Sequence, residues 1–213
     1  MKRFLSFLIA SVVVLSFSHT TVFANNTHEQ EKNQVDVIYT TNPNIQVSDP
    51  MNFSEMITYF ANSKNISYEE ALTFFDTPTQ SYSSTYAPIK YRVFTVNLVV
   101  TENVYVPHLE FYCQTSENGN YWGILNVYSC ELIRSYNQIS KQFSGTVNFW
   151  LRNPYTIEYS VNGDFYENGT TSHTAEVGLN VDVGAGASIS YSISYSSNHY
   201  KYFHIHQNLV LQH

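Results

Sequence analysis

The sequence predicts a mainly β protein: an antiparallel β-sandwich preceded by a short two-helix hairpin. Three observations carry this expectation. From Val177 to Tyr195 every odd position is apolar or aromatic and every even one is Gly, Asn, Asp or Ser, the alternation of a strand whose side chains point to opposite faces. Asn-Gly pairs at 118–119 and 162–163 divide strand-like runs, as hairpin turns do. Helix-start signals, by contrast, fall in a segment ahead of those runs, at Asp49-Pro50 and at Ser67 to Glu70.

Taken in order, residues 1–24 read as a secretory signal peptide. Lys2 and Arg3 open it, an apolar run from Phe4 to Phe17 follows, and small residues at Val22 and Ala24 mark the cut. The residue directly after that cut is Asn25, not a cysteine, and no second long apolar run ends the chain, so the expected product is secreted and released, not lipid-anchored. Residues 25–49 are polar and aperiodic, a flexible leader with a short extended piece at Val35–Tyr39. Residues 50–78 form the helical hairpin. Asp49 is its expected N-cap, Met51, Phe53, Met56, Ile57 and Phe60 recur at helical spacing, and Ser67 with Glu70 caps a second helix bearing Ala71, Leu72, Phe74 and Phe75. The helices are expected at 50–62 and 67–75, packing as a cap on the β domain. Residues 79–88 are a Ser/Tyr-rich linker, and residues 89–213 are the β-sandwich domain.

Within that domain strands are expected at 91–101, 104–114, 121–136, 143–151, 155–161, 164–166, 177–195 and 200–211. Turns are expected at Asn118-Gly119, Asn162-Gly163 and Glu167-Asn168-Gly169, with a break at Asn198. A symmetric hairpin about Asn118-Gly119 sets Cys113 opposite Ile124 and leaves Cys130 beyond its reach. A disulfide between Cys113 and Cys130 is chemically possible in an exported chain, but its geometry is not fixed by sequence.

Charge narrows the partners. Removing Lys2 and Arg3 with the signal leaves eight basic against 17 acidic side chains, a formal charge of −9. No nucleic acid is expected as a partner, because nucleic-acid binding needs clustered Lys and Arg. Anionic lipid is equally poorly attracted. Charged residues make up only 13% of the chain against about 25% in ordinary domains, so solubility rests on Ser, Thr, Asn, Gln and Tyr.

The long alternation admits three readings. Its phase survives Gly184-Ala185-Gly186, as a three-residue hairpin loop allows, placing Val183 opposite Ala187, Val181 opposite Ile189 and Leu179 opposite Tyr191. The arms Ala175–Val183 and Ala187–Tyr195 are then nine residues each, the length of a membrane-spanning β-strand. A small β-pore-forming toxin would insert Val177, Leu179, Val181, Val183, Ile189, Tyr191, Ile193 and Tyr195 into lipid. The commoner arrangement buries Val177, Leu179, Val181, Val183, Ile189 and Ile193 in a sandwich core with the serines wet. Stacking of the GAGASIS stretch into fibres is the third.

Few residues suggest chemistry. His204-x-His206 puts two imidazoles on one strand face, a metal-chelating spacing with no third ligand fixed by motif, and His108-x-Glu110 has the same weakness. Glu110, Glu131, Glu158 and Asp164 are candidate paired carboxylates, Cys113 is a nucleophile only if a base joins it, and no serine lies in G-x-S-x-G. No cofactor is implied and no catalytic residue is assigned. Trp122 and Trp150 are the candidate binding aromatics, within a chain of 18 tyrosines.

Through NISYEEALTFFDTP, LEFYCQTSENGNYWG, SYNQISKQFSG, NGDFYENGTT and SSNHYKY, the chain resembles a group of secreted hypothetical proteins of Gram-positive bacteria over roughly residues 65–202. The resemblance implies an exported bacterial protein and brings no activity with it. The function expected from sequence is binding of an extracellular protein or glycan at or outside the cell envelope, with the pore-forming toxin as the alternative.

Overall fold

The computed structural model describes residues 40–75, 89–118, 121–174 and 179–212. The predicted signal peptide, the extended piece at Val35–Tyr39, the linker at 79–88, Gly119 and Val177 lie outside these residues. Within them the protein is mainly β, with antiparallel sheets preceded by two helices, the sandwich class the sequence predicts.

The predicted flexible leader contributes a strand. β1 (Ile45–Val47) pairs with β2 (Ile89–Asn97), Gln46 facing Thr95. Ile45 enters the core, and the Ser48 N–H donates to the Val93 carbonyl at 3.0 Å. The edge of β2 thus finds backbone partners that a wholly mobile leader would not supply. Met51 and Tyr91 then exchange backbone hydrogen bonds of 2.9 Å, which holds the chain extended past Pro50. Helix α1 (Phe53–Lys64) therefore starts later than predicted, and its N-cap is Asn52 instead of Asp49. The Glu55 N–H donates to Asn52 Oδ1 at 3.0 Å and the Asn52 N–H to Glu55 Oε2 at 2.7 Å, a reciprocal capping box. Asn65 ends the helix in a left-handed conformation at φ 55°. Helix α2 (Tyr68–Leu72) is shorter than the predicted 67–75, and Ser67 caps it, the Glu70 N–H donating to Ser67 Oγ at 3.1 Å.

β3 (His108–Asn118) and β4 (Tyr121–Ile133) continue the first sheet, whose order among the described residues is β1-β2-β3-β4 with Val181–Asp182 beside β4 at the far edge. Both of its faces are covered. Tyr91, Val93, Tyr112 and Tyr128 meet Met56, Ile57, Phe60, Ala61, Ala71 and Phe75 of the helical hairpin. The other face, with Phe94, Val96, Leu109, Phe111 and Ile124, joins the main core. β4 reaches this core with Trp122 and Ile124, then Val127, then Cys130 and Leu132. That sequence changes parity twice because Leu125 and Tyr128 are bulged residues, extra to the β3 register.

The bulges also correct the predicted hairpin register. The hairpin closes at Asn118 opposite Tyr121, Cys113 faces Val127 and Cys130 faces Phe111. The two cysteines are buried free thiols, not a disulfide. They lie on neighbouring strands but face different partners, and both sulfurs sit in the apolar core. Burial pushes both thiols well above their ordinary pKa, which suppresses the reactive thiolate. The expected result is that a thiol reagent labels neither cysteine in the native protein and labels both after denaturation.

A small hairpin of β5 (Ser135–Tyr136) and β6 (Ile139–Ser140) turns through Asn137 and Gln138, both with positive φ. β7 (Gln142–Asn153), β8 (Thr156–Thr174) and β10 (Gly186–Val210) follow, with β9 (Val181–Asp182) between the last two. β7 pairs with β8, β8 with most of β10, and the first six residues of β10 return to β7, closing a small barrel. Its inner side packs against the first sheet, with Phe111 against Phe149 at 5.6 Å and Tyr159 at 6.1 Å between ring centroids.

Two predicted turns are absent, because β8 runs through Asn162-Gly163 and Glu167-Asn168-Gly169 without reversing. The glycines answer close approach, not turning. A Cβ on Gly163 would lie 2.3 Å from the Ser144 carbonyl oxygen, and one on Gly169 2.1 Å from that of Tyr195. The predicted break at Asn198 is likewise a left-handed residue, φ 58°, inside β10.

The predicted 175–195 hairpin does not form. β9 pairs with β4, Val181 facing Val127, whereas Ala187 faces Phe149 and Ile189 faces Val147 on β7. The arms part because Leu151 takes the loop between them: the Leu151 N–H donates to the Ala185 carbonyl at 3.0 Å and the Gly184 N–H to that of Leu151 at 2.6 Å. Gly184 has φ +88°, a conformation that suits glycine.

Two carboxylates, Glu110 buried and Glu117 half-buried, secure these layers. Arg92 donates from Nε and Nη2 to Glu117 at 2.6 and 2.8 Å, and from Nη1 to the Ser48 carbonyl at 2.6 Å. Glu110 accepts from Tyr112 at 2.6 Å, and the Tyr112 hydroxyl meets Ser63 of α1 at 3.0 Å. Burial raises the pKa of each carboxyl, but hydrogen bonds outweigh it, from Arg92 and Thr115 at Glu117 and from His108 and Tyr112 at Glu110. Both sit below the ordinary 4.5. Their contribution to stability is complete above the unfolded value and is lost as pH falls through the folded ones. Thermal melting should therefore drop between pH 6 and pH 3, and Glu117→Gln should flatten part of that drop.

Candidate functional site

The outer face of β7, β8 and β10 is built by register. Odd residues of β7 and β8 such as Phe143, Val147, Phe149, Ile157, Tyr159 and Val161 are buried, so the even ones face outward. Pairing aligns them across the sheet. Ser188, Asn148, Ser160 and His206 form one row, and Ser190, Thr146, Asn162 and His204 the next. Gly186, Trp150, Glu158 and Asn208 form a row at one end, and Ser144, Asp164 and Tyr202 a row at the other. The middle of the face carries hydroxyls, amides and imidazoles without a Lys, Arg, Asp or Glu.

Several of these side chains are held in place by one another. Asn148 Nδ2 donates to Ser160 Oγ at 3.3 Å, and the Tyr202 hydroxyl donates to Asn162 Oδ1 at 2.7 Å. At the first end Glu158 bridges two partners, Arg152 Nε at 2.6 Å and His206 Nε2 at 2.8 Å. The Arg152 hydrogen bond, with that of His206 second, holds the Glu158 carboxyl down to about 2. A carboxyl titration by NMR should place its midpoint there in the native protein, and Arg152→Gln should move it upward. Glu158, His206, Gln207 and Asn208 line a shallow depression.

Trp150 gives this end an aromatic surface. A Cβ on Gly186 would lie 2.0 Å from Trp150 Cδ1, so the indole occupies the space above the glycine. The guanidinium of Arg152 lies 5.2 Å from the ring centroid. Of the two candidate aromatics, Trp150 reaches the surface. Trp122 is buried, edge-on to Tyr155 at 5.3 Å, and belongs to the core.

The remaining predicted sites are dispersed. His204 and His206 do share the outer face, but among the described residues no group of three or more His, Cys, Asp or Glu side chains is placed to hold a metal ion. Glu110 and Glu131 face each other directly across β3 and β4, buried beneath α1, with Lys64 paired to Glu131 and His108 to Glu110. Glu158 and Asp164 stand apart on the outer face. Of the residues assigned to a membrane hairpin, Val181, Ile189 and Tyr191 are buried, Leu179 and Ile193 are partly buried, and Val183 and Tyr195 are exposed. Among the described residues no helix is long and apolar enough to cross a membrane.

Sequence reading missed the outer face as a unit, including the roles of Arg152 and Glu158. Its signal was present in the even-numbered serines of 186–194, but the rows exist only once β7 and β8 are placed beside them. No protein-family model, curated protein or solved structure matches the chain.

Proposed function

We propose that this is a secreted, non-catalytic β-sandwich protein that acts by binding an extracellular partner at or outside the cell envelope, through the outer face of β7, β8 and β10. The observation that carries the reading is the face itself, four aligned rows of polar side chains with hydrogen bonds among them and Trp150 at one end. Side chains already restrained lose little freedom on contact, which favours recognition. The N-terminal signal sequence supports export.

The test is capture by residues 25–213 of isolated Gram-positive cell walls and of an extracellular-protein array. Wild type should bind at least one, and Asn148→Arg, which places a charge at the centre of the face, should reduce that binding by about tenfold or more. Absence of capture, or capture unaffected by Asn148→Arg, overturns the reading. The pore-forming alternative would have to draw Val181, Ile189 and Tyr191 out of the core, at about 1.5–3 kcal/mol for each aliphatic side chain. Dye-loaded liposomes are expected to stay sealed, and leakage would favour the pore.

A further inference from the structure

Resting on that reading, we infer that the outer face takes a neutral linear glycan, seated across the strands with one sugar over Trp150. The chemistry of the face selects this class. Ser, Asn and His side chains each combine donor and acceptor capacity, as sugar hydroxyls do, so the rows of Asn148, Ser160 and His206 can pair with hydroxyls in either sense. Adjacent strands stand about 4.8 Å apart, close to the length of a pyranose unit, so a chain crossing the strands meets similar groups at each sugar.

Trp150 supplies the contact that hydrogen bonds to water cannot replace. Its indole lies over Gly186, where any side chain on the glycine would collide with it, and an aromatic face attracts the weakly positive C–H face of a pyranose. Gly186 therefore has a reason to lack a side chain beyond strand geometry. The Arg152 guanidinium, neutralised by Glu158 at 2.6 Å, lies over the ring 5.2 Å from its centroid and has to swing aside for a sugar to stack there.

Charge and topology argue against other occupants. Residues 25–213 carry a formal charge of −9, which repels polyanionic polymers, and the middle rows hold no lysine or arginine to offset it. A peptide adding as a strand needs an open sheet edge. The aligned rows lie on the face of the layer, where the backbone groups are already paired between β7, β8 and β10 and side chains alone meet a partner.

The experiment titrates residues 25–213 with cello-, chito- and maltohexaose, followed by tryptophan emission and calorimetry. Trp122 is buried and Trp150 is not, so a ligand on the face should perturb Trp150 emission alone. The expected result is saturable binding of at least one hexasaccharide, insensitive to salt, weakened about tenfold or more by Trp150→Ala and also by Ser160→Arg. Unchanged Trp122 emission in Trp150→Ala shows that the fold persists, and Ser160→Arg tests the face without touching the tryptophan. Failure of all three sugars to bind, or binding that both substitutions leave intact, overturns the glycan inference. If Asn148→Arg still abolishes capture of walls or proteins while no hexasaccharide binds, the glycan inference falls and the broader binding reading stands.

Discussion

Gly163→Ala is expected to yield no protein with a native thermal transition. Gly163 pairs with Gly145 across β7 and β8, where a Cβ would lie 2.3 Å from the Ser144 carbonyl oxygen, 2.7 Å from Gly145 Cα and 2.7 Å from the ring of buried Phe143. Two of those three contacts are backbone, which cannot rotate aside as a side chain can. The added methyl must instead spread β7 from β8 at their centre, beside the point where Phe143 packs on Phe165 at 4.8 Å. The cost should exceed the ~1–3 kcal/mol of ordinary overpacking. Circular dichroism melting of the soluble fraction checks it. A cooperative transition within a few degrees of wild type would mean that the strands do not meet as closely as described. Gly184→Ala makes an instructive contrast, since no atom lies within 4 Å of a Cβ there. Its cost comes only from φ +88° and should be milder.

The second large effect is expected at Phe60. It is fully buried in the layer between the helical hairpin and the first sheet, with ring centroids 4.9 Å from Tyr112, 5.0 Å from Phe75 and 5.3 Å from Phe74. Phe60→Ala should cost about 3–5 kcal/mol, the lost burial together with the cavity left among three rings that cannot collapse far. Urea unfolding measures it as a fall in midpoint. Because Phe60 belongs to the helix-side core and not to the main one, hydrogen exchange should show α1 and α2 losing protection before β7 and β8. A uniform loss across all elements would show that the two cores unfold as one.

Lys64 ties the same helix to the sheet through Glu131, whose side chain is buried. The hairpin is thus held by the apolar packing of Met56, Ile57, Phe60, Ala61, Ala71 and Phe75 and by an ion pair at the C-terminal end of α1. This arrangement matches the packing cap read from sequence.

Faces were legible in the sequence where partners were not. The odd-numbered apolar residues Val181, Ile189 and Tyr191 do point inward, because period-two alternation fixes which side of a strand a residue takes. The same alternation is blind to the neighbouring strand, so Val181 was set opposite Ile189 when it faces Val127. Val183, placed in the core by parity, is exposed because the chain turns away at Gly184. In β4 alternation itself fails, since the bulges at Leu125 and Tyr128 reset the parity twice and only the pairing with β3 reveals them.

Local chemistry transferred best. Ser67 caps α2 as read because a capping interaction involves only residues three apart. Asp49 lost the equivalent role to Asn52 for a long-range reason, the bridge from Met51 to Tyr91. Glycine was the least legible residue. At 163 and 169 it reads as a turn in one dimension, whereas in three it marks the places where two strands come too close for a side chain.

A β-rich chain with a capped helical hairpin, the inward and outward sides of most strands, and a nearly uncharged polar stripe on 186–194 can all be read along one dimension. These follow from short-range sterics and periodicity. It takes the assembled fold to make the stripe one row-end of a face shared with β7 and β8, to bring Trp150 and not Trp122 to that face, and to keep the cysteines unbonded. Those outcomes depend on register between strands distant in sequence, where each pairing is chosen by the packing of the whole core.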